Sequence, residues 1–425
     1  MFKTKNAAPG VRVVSVKTDK YKTNIIDISM AVPLDENAAA NALLIGLLSR
    51  SCKDYPDFTS LNAKLDELYG ASLGCSVRKI GDAQVLSLSV TCLDDRFALE
   101  GESITDECAK LLCSLLFNPN VKGTSFGKEA LKSEKRLLIN NILAELDNKR
   151  YYALKKCTEL MCANEPYGRS EYGTVEEVES VKMADIYAAW KNILKTAVIQ
   201  ITTVGCSDIT KTTRLFSKQF KTVDREPCEI KTIFFKKGQH FRRGVEQFPM
   251  KQGKLVFGFR TGSEDRYDNY FPLRVMCDIF GGGTYSKLFA NVREKMSLAY
   301  YCSSSFVSSK GIIFVQSGID TDKEKQVSTA IINQLDDVRK GKFDDETLAA
   351  SKRSLREGLT LSNPEAICGW YKSFIIEEDI MTPEETADGY DKVTKEEVCE
   401  AAKLLSIDKI YMLEAVESEE TSDEV

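Results

Sequence analysis

The sequence predicts an α+β chain of two duplicated domains, each a mostly antiparallel sheet with helices packed on one face. Three observations support this prediction. The 425 residues suffice for more than one domain. Helical apolar runs occur beside paired strand-like runs, and the same order of segments occurs twice. With 43% hydrophobic and 28% charged residues, the composition is that of a globular chain.

The first half begins with two helices, continues with a hairpin and then returns to helices. An apolar run has the length of a helix, and leucines recur at helical spacing in the segment after it. Two strand-like runs joined by a short polar turn predict the hairpin. The predicted helices lie at 38–48, 61–69, 109–117 and 128–162, and the predicted strands lie at 71–78 and 83–92.

The second half repeats this order, and each half closes with a helix followed by a strand. Corresponding segments lie roughly 208 to 225 residues apart, which indicates a duplication and not a short-period repeat. We therefore predict domains at 1–215 and 216–425, the second ending in an acidic tail. The predicted helices lie at 271–280, 286–296, 323–339 and 345–361, the hairpin strands at 299–307 and 311–318, and the closing pairs at 183–194 with 197–204 and 395–405 with 409–414.

Composition excludes several classes of function. A net charge of −5 and a pI of about 5.5 give no basic excess for nucleic acid. No apolar run is long enough to span a membrane, and the first residues lack the apolar stretch of a signal peptide. The 13 cysteines contain no Cys-x-x-Cys pair, which favours buried free thiols in a reducing cytoplasm. We expect a cytoplasmic chain that binds neither nucleic acid nor membrane.

A single histidine, His240, limits the chemistry further. A zinc site with two imidazoles cannot be built from one histidine. His240 lies in a basic, loop-like segment without apolar periodicity, so we expect a solvated position in a linker. A nucleophilic site that depends on a well-supported imidazole is equally disfavoured.

Residues 280–300 read FGGGTYSKLFANVREKMSLAY. The glycines Gly281, Gly282 and Gly283 predict a tight turn with positive φ, because the Gly-Lys-Ser/Thr ending of a phosphate loop is missing. Together with the duplication, this segment resembles the pitrilysin/insulinase family of zinc metallopeptidases, the inverzincins. The resemblance implies that Arg293 and Tyr300 bind substrate: the guanidinium and the hydroxyl would hold a peptide carbonyl and the oxyanion that forms on it.

The family's metal motif, His-x-x-Glu-His, belongs on the helix predicted at 38–48. The resemblance places Asn41, Leu44 and Ile45 at the three motif positions and makes Glu134 the candidate for the distal ligand. No residue of this set is a histidine, and Leu44 and Ile45 offer neither a ligand nor a proton acceptor. We therefore expect no metal, no cofactor and no catalytic residue, and a solvated Glu134.

The pattern favours a non-catalytic subunit of a heterodimeric zinc metallopeptidase. The resemblance implies a zinc-bearing homologous subunit as partner and a peptide as substrate. The alternative is an inactive peptidase-fold scaffold that binds a peptide or protein without proteolysis. An enzyme of different chemistry is a third and weaker hypothesis, since thiols are plentiful but His240 is poorly placed to activate one.

Overall fold

The computed structural model describes residues 2–206, 210–238 and 240–416, so most of the acidic tail lies outside the described residues. The chain forms two compact units, each assembled from three stretches. The sequence predicts one division between residues 215 and 216, whereas the main boundary between the units lies between residues 231 and 232. In addition, one short segment from each side of this boundary belongs to the other unit. The first unit comprises Met1–Leu143, Arg169–Lys231 and Leu361–Ile380, and the second comprises Ala144–Gly168, Thr232–Thr360 and Met381–Val425.

Each unit is built on one sheet. The six strands of the first unit are β1 (Phe2–Ala8), β2 (Val11–Lys17), β3 (Thr23–Pro33), β4 (Ser72–Ile80), β5 (Ala83–Leu93) and β6 (Val198–Gly205). The five strands of the second unit are β7 (Arg242–Pro249), β8 (Gly253–Arg260), β9 (Tyr301–Val307), β10 (Ile312–Ile319) and β11 (Ser406–Val416).

The two sheets have the same topology, apart from one added strand. Their orders are β1-β2-β6-β3-β5-β4 and β7-β11-β8-β10-β9. One pair in each sheet is parallel, β2 with β6 and β7 with β11, and the other pairs are antiparallel. Strands β2 to β6 therefore correspond to β7, β8, β9, β10 and β11, and β1 is the additional strand. The predicted α+β duplication is confirmed.

Helices cover both sheets. In chain order they are α1 (Ala38–Leu48), α2 (Phe58–Glu67), α3 (Ile104–Phe117), α4 (Lys128–Ala144), α5 (Lys149–Met161), α6 (Val175–Ser180), α7 (Met183–Thr196), α8 (Thr210–Phe220), α9 (Tyr270–Gly281), α10 (Glu324–Arg339), α11 (Asp345–Gly358), α12 (Pro364–Lys372), α13 (Pro383–Lys392) and α14 (Lys395–Leu404), with a π-helix at Leu288–Lys295. No helix among the described residues is long and apolar enough to cross a membrane.

The principal core of each unit lies between one sheet face and a helix layer. Helix α1 is apolar except for Asn41, and ten of its eleven residues are buried, as in a helix enclosed by the core. Helices α3 and α7 pack beside it on the first sheet. In the second unit, α9, α10 and α14 cover the equivalent face. These layers match the helices predicted on one face of each sheet.

The opposite face of each sheet receives one helix from an exchanged segment. Helix α12 lies on the first sheet, where Lys372 pairs with buried Asp27 at 2.7 Å. Helix α5 lies on the second sheet, where Cys157 and Met161 pack with Phe314 of β10. The two helices follow α11 and α4, respectively, so they are equivalent elements of the duplication.

One predicted helix is wrong in its extent. The charged stretch at 128–162 forms two helices, α4 and α5, separated by 145–148. The side chain of Asn148 accepts a hydrogen bond from the Tyr151 N–H and starts α5 there, as an N-cap does. The cysteine prediction is confirmed for nine of the 13 thiols, which are free and buried.

Candidate functional site

The segment that carries Arg293 and Tyr300 lies in the second unit. It consists of the π-helix, a tight connection and the start of β9. The Met296 N–H donates to the Asn291 carbonyl over five residues, the spacing of a π-helix, at 2.9 Å. Ser297 then takes a positive φ of 49°, and the Tyr300 N–H donates to the Gly318 carbonyl of β10 at 2.8 Å. Tyr300 is thereby fixed to the sheet.

Arg293 presents its guanidinium to solvent. The side chain is 42% exposed, and its Nε lies 3.6 Å from an oxygen of Glu294. The guanidinium carbon lies 4.5 Å from the ring centroid of Phe289, one turn earlier on the π-helix. This stacking supports the side chain but leaves most of its donors free of any described hydrogen-bond partner.

Tyr300 is more exposed, at 54%. Its hydroxyl donates to Asp320 Oδ1 at 3.1 Å, and Lys323 donates to the other oxygen of Asp320 at 2.6 Å. The hydrogen bond to Asp320 and the negative charge of that carboxylate raise the pKa of Tyr300. The phenol therefore stays protonated and remains a donor at neutral pH.

The glycine turn is present, but its expected positive φ is wrong. Helix α9 ends at Gly281, and none of the three glycines is among the positive-φ residues. Glycine is required at position 281 because the backbone of β9 lies very close to it. A β-carbon on Gly281 would lie 2.5 Å from the Ser304 nitrogen. On Gly283, a β-carbon would lie 2.7 Å from the Tyr285 ring. These glycines let the end of α9 pack against the hairpin.

The expected metal positions lie in the first unit, within the core. Leu44 and Ile45 are buried among apolar side chains. Asn41 is buried as well, and its side-chain nitrogen donates to Gln84 Oε1 on β5 at 2.9 Å. Asn41 therefore serves the packing of α1 on the sheet.

Glu134 lies against α1, but the residues of α1 that face it are not the three that the sequence predicts. A β-carbon on Gly46 would overlap the Glu134 carboxylate, so Gly46 is the part of α1 that faces it. Ala42 lies one turn earlier on the same side of the helix. Gly46 and Ala42, and not Asn41 or Leu44, therefore lie on the side of α1 that faces Glu134.

The expected solvated state of Glu134 is also wrong. Its carboxylate forms an ion pair with Nε of Arg50, and its side chain is mostly buried. The guanidinium therefore balances the negative charge of the Glu134 carboxylate. Zinc does not fit here, because Ala42 and Gly46 lack donor atoms and Arg50 takes the carboxylate. The described residues contain no group of three or more His, Cys, Asp or Glu side chains placed to hold a metal.

His240 is exposed, as the sequence predicts. Its backbone carbonyl accepts a hydrogen bond from Lys409 at 2.8 Å. Sequence reasoning missed two functional side chains, Arg50 and Asp320. Arg50 follows Gly46 by four residues, so helical spacing could have placed it beside Glu134. Asp320 is brought to Tyr300 by the hairpin pairing of β9 with β10, which has no local signal.

A metallopeptidase-like fold thus combines exposed Arg and Tyr side chains with a metal position that cannot hold a metal. A family model described as "Peptidase M16 inactive domain" matches residues 180–355. The chain is 28% identical over 411 residues, 96% of each protein, to the "Probable inactive metalloprotease YmfF" of Bacillus subtilis (strain 168).

Solved structures share the fold of this chain. A conserved protein from Enterococcus faecalis V583 superposes with a TM-score of 0.89 at 28% identity, covering 99% of this chain and 100% of that one. A peptidase M16 inactive domain from Pseudomonas fluorescens has the same fold, with a TM-score of 0.79 at 19% identity over 98% and 99% of the two chains. The chain is therefore similar to proteins described as inactive homologues of the M16 metallopeptidases.

Proposed function

We propose that the chain is the non-catalytic subunit of a heterodimeric zinc metallopeptidase in the cytoplasm. Arg293 and Tyr300 would bind the peptide, and a homologous partner would supply zinc and the base that activates water. The observation that carries the proposal is the contrast between the two segments. The metal position beside Glu134 is closed by Arg50, whereas Arg293 and Tyr300 are exposed, and a backbone hydrogen bond to Gly318 fixes Tyr300 to the sheet.

The chemistry of the two side chains suits a peptide carbonyl. The guanidinium offers several donors, and the phenol offers one proton that in the free chain is donated to Asp320. A bound carbonyl oxygen would take that proton in place of Asp320. As negative charge develops on this oxygen during hydrolysis, both donors would bind it more strongly than the ground-state carbonyl, which is the condition for rate acceleration.

The first test is co-purification of the tagged chain with its native partners in zinc-replete buffer, with stoichiometry measured by mass spectrometry. The proposal requires a near-equimolar partner that contains His-x-x-Glu-His. Recovery without such a partner would contradict it and would favour the scaffold that binds peptides without cleaving them.

The second test uses the assembled pair. Arg293→Ala and Tyr300→Phe should each lower kcat/KM by at least about tenfold, or roughly 1.4 kcal/mol of transition-state binding. Lys295→Ala is the matched control, because Lys295 is an exposed cation on the same π-helix and has no assigned role. Unchanged kcat/KM in both site variants, with intact assembly, would exclude the assigned roles.

A further inference from the structure

We propose that the first unit binds an amphiphilic anion, with a phosphate-like head group and an aliphatic body, in a cavity between α8 and the sheet edge formed by β1 and β2. The cavity has a volume of about 910 Å³. Volumes of roughly 300–1,000 Å³ are typical of small-molecule sites. The site involves neither Arg293 nor Tyr300, so it is independent of the proposed peptidase role.

The floor of the cavity is one face of the sheet. The strand register aligns Lys3 of β1, Ser15 of β2, Thr203 of β6 and Ile26 of β3 in one cross-strand row. Because directly paired residues share a face, this row presents a cation, two hydroxyls and an apolar side chain to the same space. All four line the cavity.

Helix α8 forms the opposite wall. Thr213, Arg214, Ser217 and Lys218 recur at spacings of three and four residues, so they share one side of the helix, and Lys221 follows directly after its end. The Ser217 hydroxyl donates to the Ala7 carbonyl of β1 at 2.8 Å and fixes the helix to the sheet edge. The cavity is therefore a feature of the folded packing of α8 on β1.

Charge indicates the sign of the ligand. Every charged residue that lines the cavity, among the residues the structure describes, is basic, and no Asp or Glu belongs to the lining. Six cations around one concave surface create a positive potential that attracts anions. These six residues are Lys3, Lys5, Lys17, Arg214, Lys218 and Lys221.

A buried hydroxyl on the floor points to a specific contact. Thr203 is only 4% exposed, and its Oγ1 has no hydrogen-bond partner. An unsatisfied buried hydroxyl is unfavourable, and such groups are uncommon in folded proteins. A ligand oxygen in the cavity would accept a hydrogen bond from Thr203 and remove that deficit.

The remaining lining defines the body of the ligand. Ala7, Val13 and Ile26 provide an aliphatic surface beside the cations. No aromatic residue lines the cavity, so it lacks a platform on which a nucleobase could stack. An alkyl chain that ends in a phosphate matches both surfaces, whether it is free in solution or presented by a lipid head group.

The test is calorimetric titration of the full chain with three probes: dodecyl phosphate below its micelle concentration, inorganic phosphate and dodecyltrimethylammonium. We expect dodecyl phosphate to bind at least about tenfold more tightly than either other probe, since only it matches both the charge and the apolar floor. Equal affinity for the cationic probe, or no binding of dodecyl phosphate, would overturn the proposal.

Two variants locate the site. Arg214→Glu with Lys218→Glu should weaken dodecyl phosphate binding by at least about tenfold, whereas Lys53→Glu with Lys122→Glu, an equal charge change at exposed residues outside the lining, should not. Thr203→Val should weaken binding and, by removing an unsatisfied hydroxyl, raise the Tm of the free chain. Binding that is unaffected by the reversal at 214 and 218 would place the ligand elsewhere and contradict the site.

Vesicle sedimentation distinguishes the two sources of the head group. Capture by phosphatidylglycerol vesicles but not by phosphatidylcholine vesicles, lost in the 214/218 reversal, would support a lipid presented by a membrane. Binding of monomeric dodecyl phosphate without vesicle capture would support a free metabolite. A loss of peptidase activity in Arg293→Ala with unchanged dodecyl phosphate binding would keep the two proposals separate.

Discussion

The two units share a sheet order and differ in the segment between their first core helix and their hairpin. In the first unit this segment contains α2, a regular helix that begins with a capping box between Asp57 and Ser60. In the second unit it contains the π-helix with Arg293. Both units have the same order of strands in their sheets, apart from the added strand β1. Arg293, the proposed binding residue, lies on the π-helix, where the second unit departs from regular helix geometry. A duplicated fold can therefore vary this segment without altering the order of its sheets.

The ion pairs of the second unit include a four-residue network that is more deeply buried than the Arg50–Glu134 and Lys372–Asp27 pairs of the first unit. The second unit encloses Arg260, Lys310, Glu165 and Asp408, which are joined by ion pairs of 2.5 to 2.8 Å. The Arg50–Glu134 pair of the first unit is partly exposed. This difference in burial predicts that ion pairs with similar distances between their charged atoms contribute unequally to the free energy of unfolding.

The largest effect is expected at Lys310. Its side chain is fully enclosed and pairs with Glu165 at 2.8 Å, so Lys310→Met leaves a buried carboxylate with one fewer cation. We expect a loss of about 3–5 kcal/mol in the free energy of unfolding, measured by urea denaturation. Lys403→Met removes an exposed pair with Glu400 from the same unit and should cost about 0.5 kcal/mol or less. Similar losses in the two variants would remove the distinction between buried and exposed pairs.

A smaller effect is expected at the end of α9. Gly281→Ala should destabilise the chain by about 1–3 kcal/mol, because the added methyl group meets the Ser304 backbone. Gly369→Ala provides the matched control in α12, where a β-carbon meets no atom within 4 Å. That substitution should stabilise the chain by about 0.5–1 kcal/mol through helix propensity. A neutral Gly281→Ala in thermal unfolding would mean that close approach does not explain the glycine.

The Arg50–Glu134 pair should contribute about 1 kcal/mol. A double-mutant cycle with Arg50→Met and Glu134→Gln measures the coupling directly, and partial burial of Glu134 should raise it above that of an exposed pair. Lys64 and Glu67, a pair at 3.4 Å on α2, should give a coupling close to zero. Addition of zinc should leave the stability of the wild-type chain unchanged, whereas a zinc-dependent rise in Tm would contradict the closed metal position.

The smallest effect concerns β4 and β9, which are corresponding edge strands of the two sheets. Cys75 on β4 is exposed, whereas Cys302 on β9 is enclosed and burial raises the pKa of its thiol to about 12. At pH 8 the thiolate fraction of Cys302 is therefore negligible, and Cys75 should react first with a thiol reagent. Mass spectrometry of Cys75→Ser should lack the fastest labelled site, and Cys302→Ser should retain it. Early modification of Cys302 would show that β9 opens readily.

The sequence predicts the elements whose signals are local. The apolar run at Ala38–Leu48 gives the bounds of α1, and the glycines after Phe280 end α9 close to the predicted position. Tertiary effects explain the failures. Pairing of Arg50 with Glu134 depends on how α4 lies against α1. The membership of α5 in the second unit depends on a sheet whose strands all lie beyond residue 240. The roles of Arg293 and Tyr300 come from family resemblance and stay predictions.

The exchange of α5 and α12 has a consequence for biosynthesis. The first unit includes Leu361–Ile380, so about nine-tenths of the 425 residues must leave the ribosome before that unit can be completed. Until then, α12 cannot pack on its face of the first sheet. Helix α5 likewise cannot pack on the second sheet before the strands of that sheet are synthesised. A chain cut near residue 215 would carry one helix without its sheet and one sheet without its helix. Although the two units have separate cores, neither can be completed from one half of the chain alone.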